Sequence, residues 1–260
     1  MKKKILAIVL CIAMLAIAVA GGTMAYFSDT KVQTNTFTAG KVQITLDEAK
    51  VVLDETEGSE TYGDLIADGN NRVVAPENPE PYHLFPGQSV TKDPTITLVD
   101  GSEDAYLAAI ITVKVPNADL EKMQEMGLCM EYRNMLDVET LLTGDYIGSV
   151  PERTDHPLNN TNSMKVYGTA EYAVYQIADS ANKTWTIYMF FEDARSENAT
   201  VTLFDTIEVP AAWNNAEMAI INGMTIKVDA YAAQANGFET CYDAMVGAFG
   251  QSAGDPFYFG

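Results

Sequence analysis

The chain has 260 residues, with 16 Lys+Arg against 36 Asp+Glu and a formal net charge of −20. That balance argues against nucleic acid or anionic lipid as a direct partner, because phosphate binding needs positive charge. Hydrophobic residues make up 47% and charged residues 20%, which counts against disorder and predicts a packed core.

The chain opens with Lys2, Lys3 and Lys4, followed by an apolar run of 16 residues from Ile5 to Ala20. The run is shorter than the roughly 20 residues a spanning helix needs. Gly21-Gly22 breaks it, and Thr23-Met24-Ala25 places small residues at the −3 and −1 positions. The pattern predicts a secretory signal peptide over 1–25, cut between Ala25 and Tyr26. Residues 1–25 hold three lysines and no acid, so cleavage leaves 235 residues at −23.

After the cut comes an arm, 26–40. Thr30, Val32, Thr34, Thr36 and Thr38 share one parity, and β-branched residues favour extended structure. Val42, Ile44 and Leu46 then alternate with polar residues, the period of a half-buried strand. Residues 47–81 hold ten acids and read as an irregular excursion. Pro86-Gly87 presets a type II turn. Ala105–Val115 is apolar enough for a central strand, and 171–177 with 184–191 form a hairpin around 178–183. Residues 199–210 and 224–232 complete the strands.

Helices are few. Asn117 caps a short one over 118–126, closed by Gly127. Asn236 caps another near 237–249, with Glu239 completing a capping-box-like pair. Phe238, Cys241, Tyr242, Met245, Val246 and Phe249 fall on one face of it. Residues 144–163 are rich in Pro, Asn, Asp and Thr and read as a second polar excursion. No linker divides 41–260, and no helix alternates regularly with the strands. The expected fold is therefore a single all-β antiparallel sandwich over 41–260, with helical and loop insertions.

Candidate chemistry is sparse. A zincin needs two histidines one helical turn apart with a glutamate between them. The two histidines here, His83 and His156, lie 73 residues apart and neither begins such a motif. Gly250-Gln251-Ser252-Ala253-Gly254 spells G-x-S-x-G, but it follows a helix and no histidine comes later. Asp100, Glu103 and Asp104 cluster on a turn and form a weak calcium candidate without EF-hand spacing. Cys129 and Cys241 are the cysteines beyond the signal; a buried thiol and a bridge both remain open for Cys241. The expectation is no catalytic residue, no cofactor and no enzyme activity.

Four blocks carry a family resemblance. Gly22-Thr23-Met24-Ala25-Tyr26-Phe27-Ser28-Asp29 with Asn35-Thr36-Phe37-Thr38-Ala39-Gly40 is similar to the N-terminus of the TasA/camelysin family of secreted bacterial proteins. Phe85 to Pro94, with its Pro-Gly and Lys92-Asp93-Pro94, resembles a second block of that family. Ala105-Tyr106-Leu107 resembles a third, and Tyr231 to Phe238 a fourth. The resemblance implies a secreted subunit of a biofilm-matrix fibre on a jelly-roll domain. Signal cleavage by a SipW-like peptidase would free the arm. The arm would then add a strand to a neighbouring copy, with Tyr26 at its tip and Phe27, Val32 and Phe37 filling pockets. Such a head-to-tail contact does not close and builds a filament. The partners implied are other copies of the chain, and paralogous fibre or anchor proteins. The camelysin branch has also been classed as metalloprotease, and a minor fibre adaptor is a third reading.

Overall fold

In a computed structural model, residues 41–74, 82–117, 129–131, 155–160, 166–168, 170–179 and 181–259 are described. The signal segment, the arm, the helix expected over 118–126 and most of 144–163 lie outside them.

Twelve strands and two α-helices make up the described fold. β1 (Ile44–Leu53), β2 (Leu65–Val74), β3 (Ser89–Thr91) and β4 (Thr95–Leu98) come first. β5 (Ala105–Lys114), β6 (Cys129–Glu131), β7 (Tyr167–Gly168), β8 (Tyr172–Asp179) and β9 (Thr184–Arg195) follow. β10 (Thr200–Thr202), β11 (Thr206–Glu208), α1 (Asn215–Ile221), β12 (Thr225–Gln234) and α2 (Cys241–Phe249) end the chain. One sheet runs β10-β4-β1-β2-β3-β11-β6 and the other β12-β5-β9-β8-β7. Pairing is antiparallel except where β2 meets β3 at Leu65 and Val90. The protein is an all-β sandwich.

The five-stranded sheet is apolar on both faces, and this explains its unbroken hydrophobic strands. Leu107, Ala109, Ile111 and Val113 of β5 point into the layer between the sheets, with Ile187 and Met189 of β9, Ile96 of β4 and Ile207 of β11. Tyr106, Ala108 and Ile110 point the other way, into a second core with Phe190, Cys241, Met245 and Phe257. α2 and the C-terminal tail cover that outer face. The G-x-S-x-G segment belongs to this cover. The Asp255 carboxylate accepts the Ser252 N–H at 2.8 Å, and Phe257 just beyond is fully buried. A Cβ at Gly250 would sit 2.3 Å from the Phe257 carbonyl oxygen, so glycine is required there by close approach of the tail.

Of the expected excursion 47–81, the described part, 47–74, differs from that expectation. β1 continues to Leu53 and β2 pairs with it, Leu53 with Leu65 and Asp47 with Val74. The acids that suggested a loop are used across strands. Lys50 meets Asp68 at 3.2 Å, and the Arg72 guanidinium bridges Asp47 and Asp93. Periodicity fails here because the register shifts between Ala49 and Val51, which breaks the alternation of faces.

Local signals behave elsewhere as their chemistry dictates. Gly87 takes φ +82° and Gln88 N–H bonds back to the Phe85 carbonyl at 3.0 Å, closing the Pro86-Gly87 turn. The β8–β9 loop is pinned by Asp179, which accepts the Asn182 N–H at 3.0 Å and the Asn182 amide at 2.7 Å. α2 is capped by Thr240, not Asn236: Thr240 Oγ1 accepts from Asp243 N–H at 3.1 Å. Gly237 at φ +96° belongs to the turn before the helix. α1 carries a capping box between Asn214 and Glu217, a signal present in the sequence as Asn-x-x-Glu. The side-chain amide of Asn117 donates to the Ala219 and Asn222 carbonyls at the end of α1.

Candidate functional site

The candidate site lies along β12, a terminal strand of its sheet. All ten of its residues pair with β5, and among the described residues no strand pairs with its other edge. In an antiparallel pair half the backbone N–H and C=O groups point away from the partner. Along β12 the groups of about every second residue therefore point outward with no strand partner among the described residues, over a length of about 33 Å at ~3.3 Å per residue.

Burial drops sharply at this edge. Val113, Ile111, Ala109 and Leu107 on β5 are fully buried. Their cross-strand partners on the same face, Ile226, Val228, Ala230 and Ala232, are only partly buried against the same core. The opposite sheet repeats the pattern. Leu98 and Ile96 of β4 are fully buried, whereas their β1 partners Ile44 and Leu46 are partly exposed. β1 and β12 approach within 8 Å between Cα atoms. Together they form a line of incompletely covered apolar side chains, called the groove below, next to a strand edge that has no neighbour among the described residues. An incoming strand would complete both the ladder and the core.

The three blocks of the resemblance that lie among the described residues have structural jobs. Gln88 ties the Pro86-Gly87 turn to β2, its side chain donating to the Gly63 carbonyl at 2.8 Å. Lys92 pairs with Glu48, and Asp93 accepts from Ala49 N–H and from Arg72 at 2.7 Å. The hydroxyl of Tyr106 bonds the Glu239 carbonyl at 3.2 Å. Tyr231 to Gln234 are the end of β12 itself. A family model described as camelysin metallo-endopeptidase matches residues 1–57. Over its N-terminal part the chain is thus similar to the TasA/camelysin family. The match covers that part alone, and no curated protein matches the chain.

The residues expected for strand donation, Tyr26, Phe27, Val32 and Phe37, and the cleavage pair Ala25 and Tyr26, lie outside the described residues. The remaining candidates are placed. Asp100 accepts from the Asn198 amide at 3.3 Å, while Gly101 N–H donates to Glu197 at 2.7 Å. Among the described residues no three of His, Cys, Asp and Glu are grouped to hold a metal ion, so Asp100, Glu103 and Asp104 do not converge. His83 is exposed. His156 is buried in the outer core: its ring lies 5.7 Å from Phe190 and 5.4 Å from Tyr242. Its Nδ1 accepts from Leu158 N–H at 3.3 Å and its Nε2 lies 3.6 Å from Glu192. A buried role was not legible from its polar flanks. Cys241 is a free buried thiol whose Sγ donates to the Leu107 carbonyl at 3.2 Å. Burial pushes its ionisation far up, with the Glu192 charge adding to the effect, so the thiol is inert.

Sequence reasoning missed the groove. Its signal was present in β12, where Ile226, Val228, Ala230 and Ala232 alternate with Lys227, Asp229 and Tyr231. Alternation marks a strand with two unlike faces but does not say which edge lacks a neighbour.

Proposed function

We propose that the chain is a secreted structural subunit of an extracellular biofilm-matrix fibre. It polymerises head-to-tail, the arm 26–40 of one copy entering the β12–β1 groove of the next. The observation that carries this reading is the groove itself: a ten-residue unpaired edge beside core residues whose cross-strand partners are buried and which are themselves partly exposed. The arm suits it. Thr30 to Thr38 spans nine residues, about 30 Å when extended, and adding a strand satisfies the backbone edge whatever the side chains are. Phe27, Val32 and Phe37 supply apolar area. The TasA/camelysin match over the N-terminal part supports the same reading. The net charge sets a condition on assembly: like-charged subunits repel, so salt or mild acid favours polymer.

The peptidase named in the family model's description has less support. Among the described residues there is no ligand set for a catalytic metal, and the two histidines have unlike surroundings. The deciding experiment is electron microscopy of residues 26–260 beside residues 41–260. Filaments from the first and folded monomers from the second are expected. Long filaments from the chain without the arm would refute the proposal.

A further inference from the structure

The face that β1 turns to the layer between the sheets carries a charge. Along β1, Ile44, Leu46 and Glu48 fall on one face, two residues apart, before the register shift. Glu48 is 9% exposed. Its carboxylate pairs with Lys92, which follows fully buried Val90 by two residues, and the Lys92 side chain is 16% exposed. The ring of Tyr82 lies 5.6 Å from the Lys92 ammonium. The apolar line of the groove thus ends in an ion pair. Replacing a buried ion pair with apolar side chains is often neutral or stabilising, and the best attested use of such pairs is to fix register.

The arm has a matching feature. Asp29 and Lys31 are the charged residues in 26–40. Two residues apart, they fall on the same side of an extended strand. Phe27 and Phe37 share that side. A strand that turns its aromatics into the groove therefore turns both charges in with them, and buried charges need partners.

We propose that the Glu48–Lys92 pair is the register and direction lock for the incoming arm, with Lys31 meeting Glu48 and Asp29 meeting Lys92. The inference rests on the fibre reading above and adds to it the residues that choose one alignment. With that end fixed, Gln33, Asn35 and Phe37 run past Leu46 and Ile44 toward the start of β1. The opposite strand direction, or a slip by two residues, brings like charges together or leaves one unpaired.

The test is a charge swap in residues 26–260, read as filament elongation rate by light scattering and electron microscopy. Three variants are compared with wild type: Asp29→Lys with Lys31→Asp in the arm, Glu48→Lys with Lys92→Glu in the domain, and all four together. Either swap alone is expected to slow elongation by about tenfold or more, and the four-fold variant to recover to within about threefold of wild type. The arm swap leaves the domain untouched, and melting of the 41–260 forms shows whether the reversed pair folds. If the domain swap unfolds, a mixture of arm-swapped and wild-type chains decides: an arm-swapped chain keeps the wild-type groove, so it should accept a wild-type arm without donating its own, and thereby cap wild-type filaments and slow their growth. Arm-dependent filaments indifferent to the swaps, or losses that add without rescue, overturn this inference and leave the fibre reading standing. Wild-type chains that never polymerise, or polymerise without the arm, remove both.

Discussion

If the fibre proposal holds, a single charge placed in the groove should separate the monomer from the polymer. Val228 faces the inter-sheet core opposite fully buried Ile111 but is itself only partly buried. In Val228→Asp the free domain loses part of one valine's burial, about 1 kcal/mol, and the carboxylate stays wetted at the open edge. That lowers Tm by roughly 2–4 °C for a domain of this size. An arm strand laid over the position would strip water from the carboxylate with no cation beside it. An uncompensated buried charge costs about 3–5 kcal/mol, so the concentration needed for polymerisation should rise on the order of 10²–10³-fold. Thr225→Asp is the control, because Thr225 is exposed and lies on the other face of β12; it should polymerise near wild-type concentration. Sedimentation gives the critical concentration and circular dichroism gives Tm. Wild-type polymerisation by Val228→Asp would refute the placement of the arm. So would a loss of Tm well beyond 10 °C, since the position would then be core and not groove.

Other outcomes follow from the same packing. The Asp54 carboxyl is held well below the usual range by bonds from Ser59, Thr56 and Thr61. Its contribution to stability is present above the ordinary aspartate value of 3.8 and is lost as pH falls through the lower folded value. Asp54→Ala should therefore lower Tm by a constant amount above about pH 5, with the gap closing below about pH 4; a gap independent of pH would contradict this. Cys241 should resist an aromatic disulfide reagent at pH 8 in the native protein and react on denaturation, with mass spectrometry of its peptide as the readout; native labelling would show the thiol is not where it is placed. Gly250→Ala must push the Phe257 backbone away and should cost about 1–3 kcal/mol; an unchanged melt would mean the tail does not dock.

The parts of this fold that can be read from the chain are those where one physical term dominates. β5, β8 and β9 are bare apolar runs, and the Pro86-Gly87 turn is fixed by backbone sterics alone. β1 and β2 are hidden because their acids are matched by Lys50, Arg72 and Lys92 from other segments, and partners distant in sequence leave no local pattern. The start of α2 is displaced from Asn236 to Thr240 because Gly237 takes a turn conformation first. The buried setting of His156 depends on Phe190 and Tyr242, which lie far along the chain. The groove is a property of sheet order. It becomes visible only when β12 is found at the end of one sheet and β1 within the other.

Amide hydrogen exchange along Thr225–Gln234, compared between filaments of 26–260 and the 41–260 monomer, tests the central claim most directly. Amides of β12 that point away from β5 should exchange freely in the monomer and become protected in the filament, together with slower exchange at Ile44 and Leu46. Filaments in which those amides exchange as fast as in the monomer would contradict it.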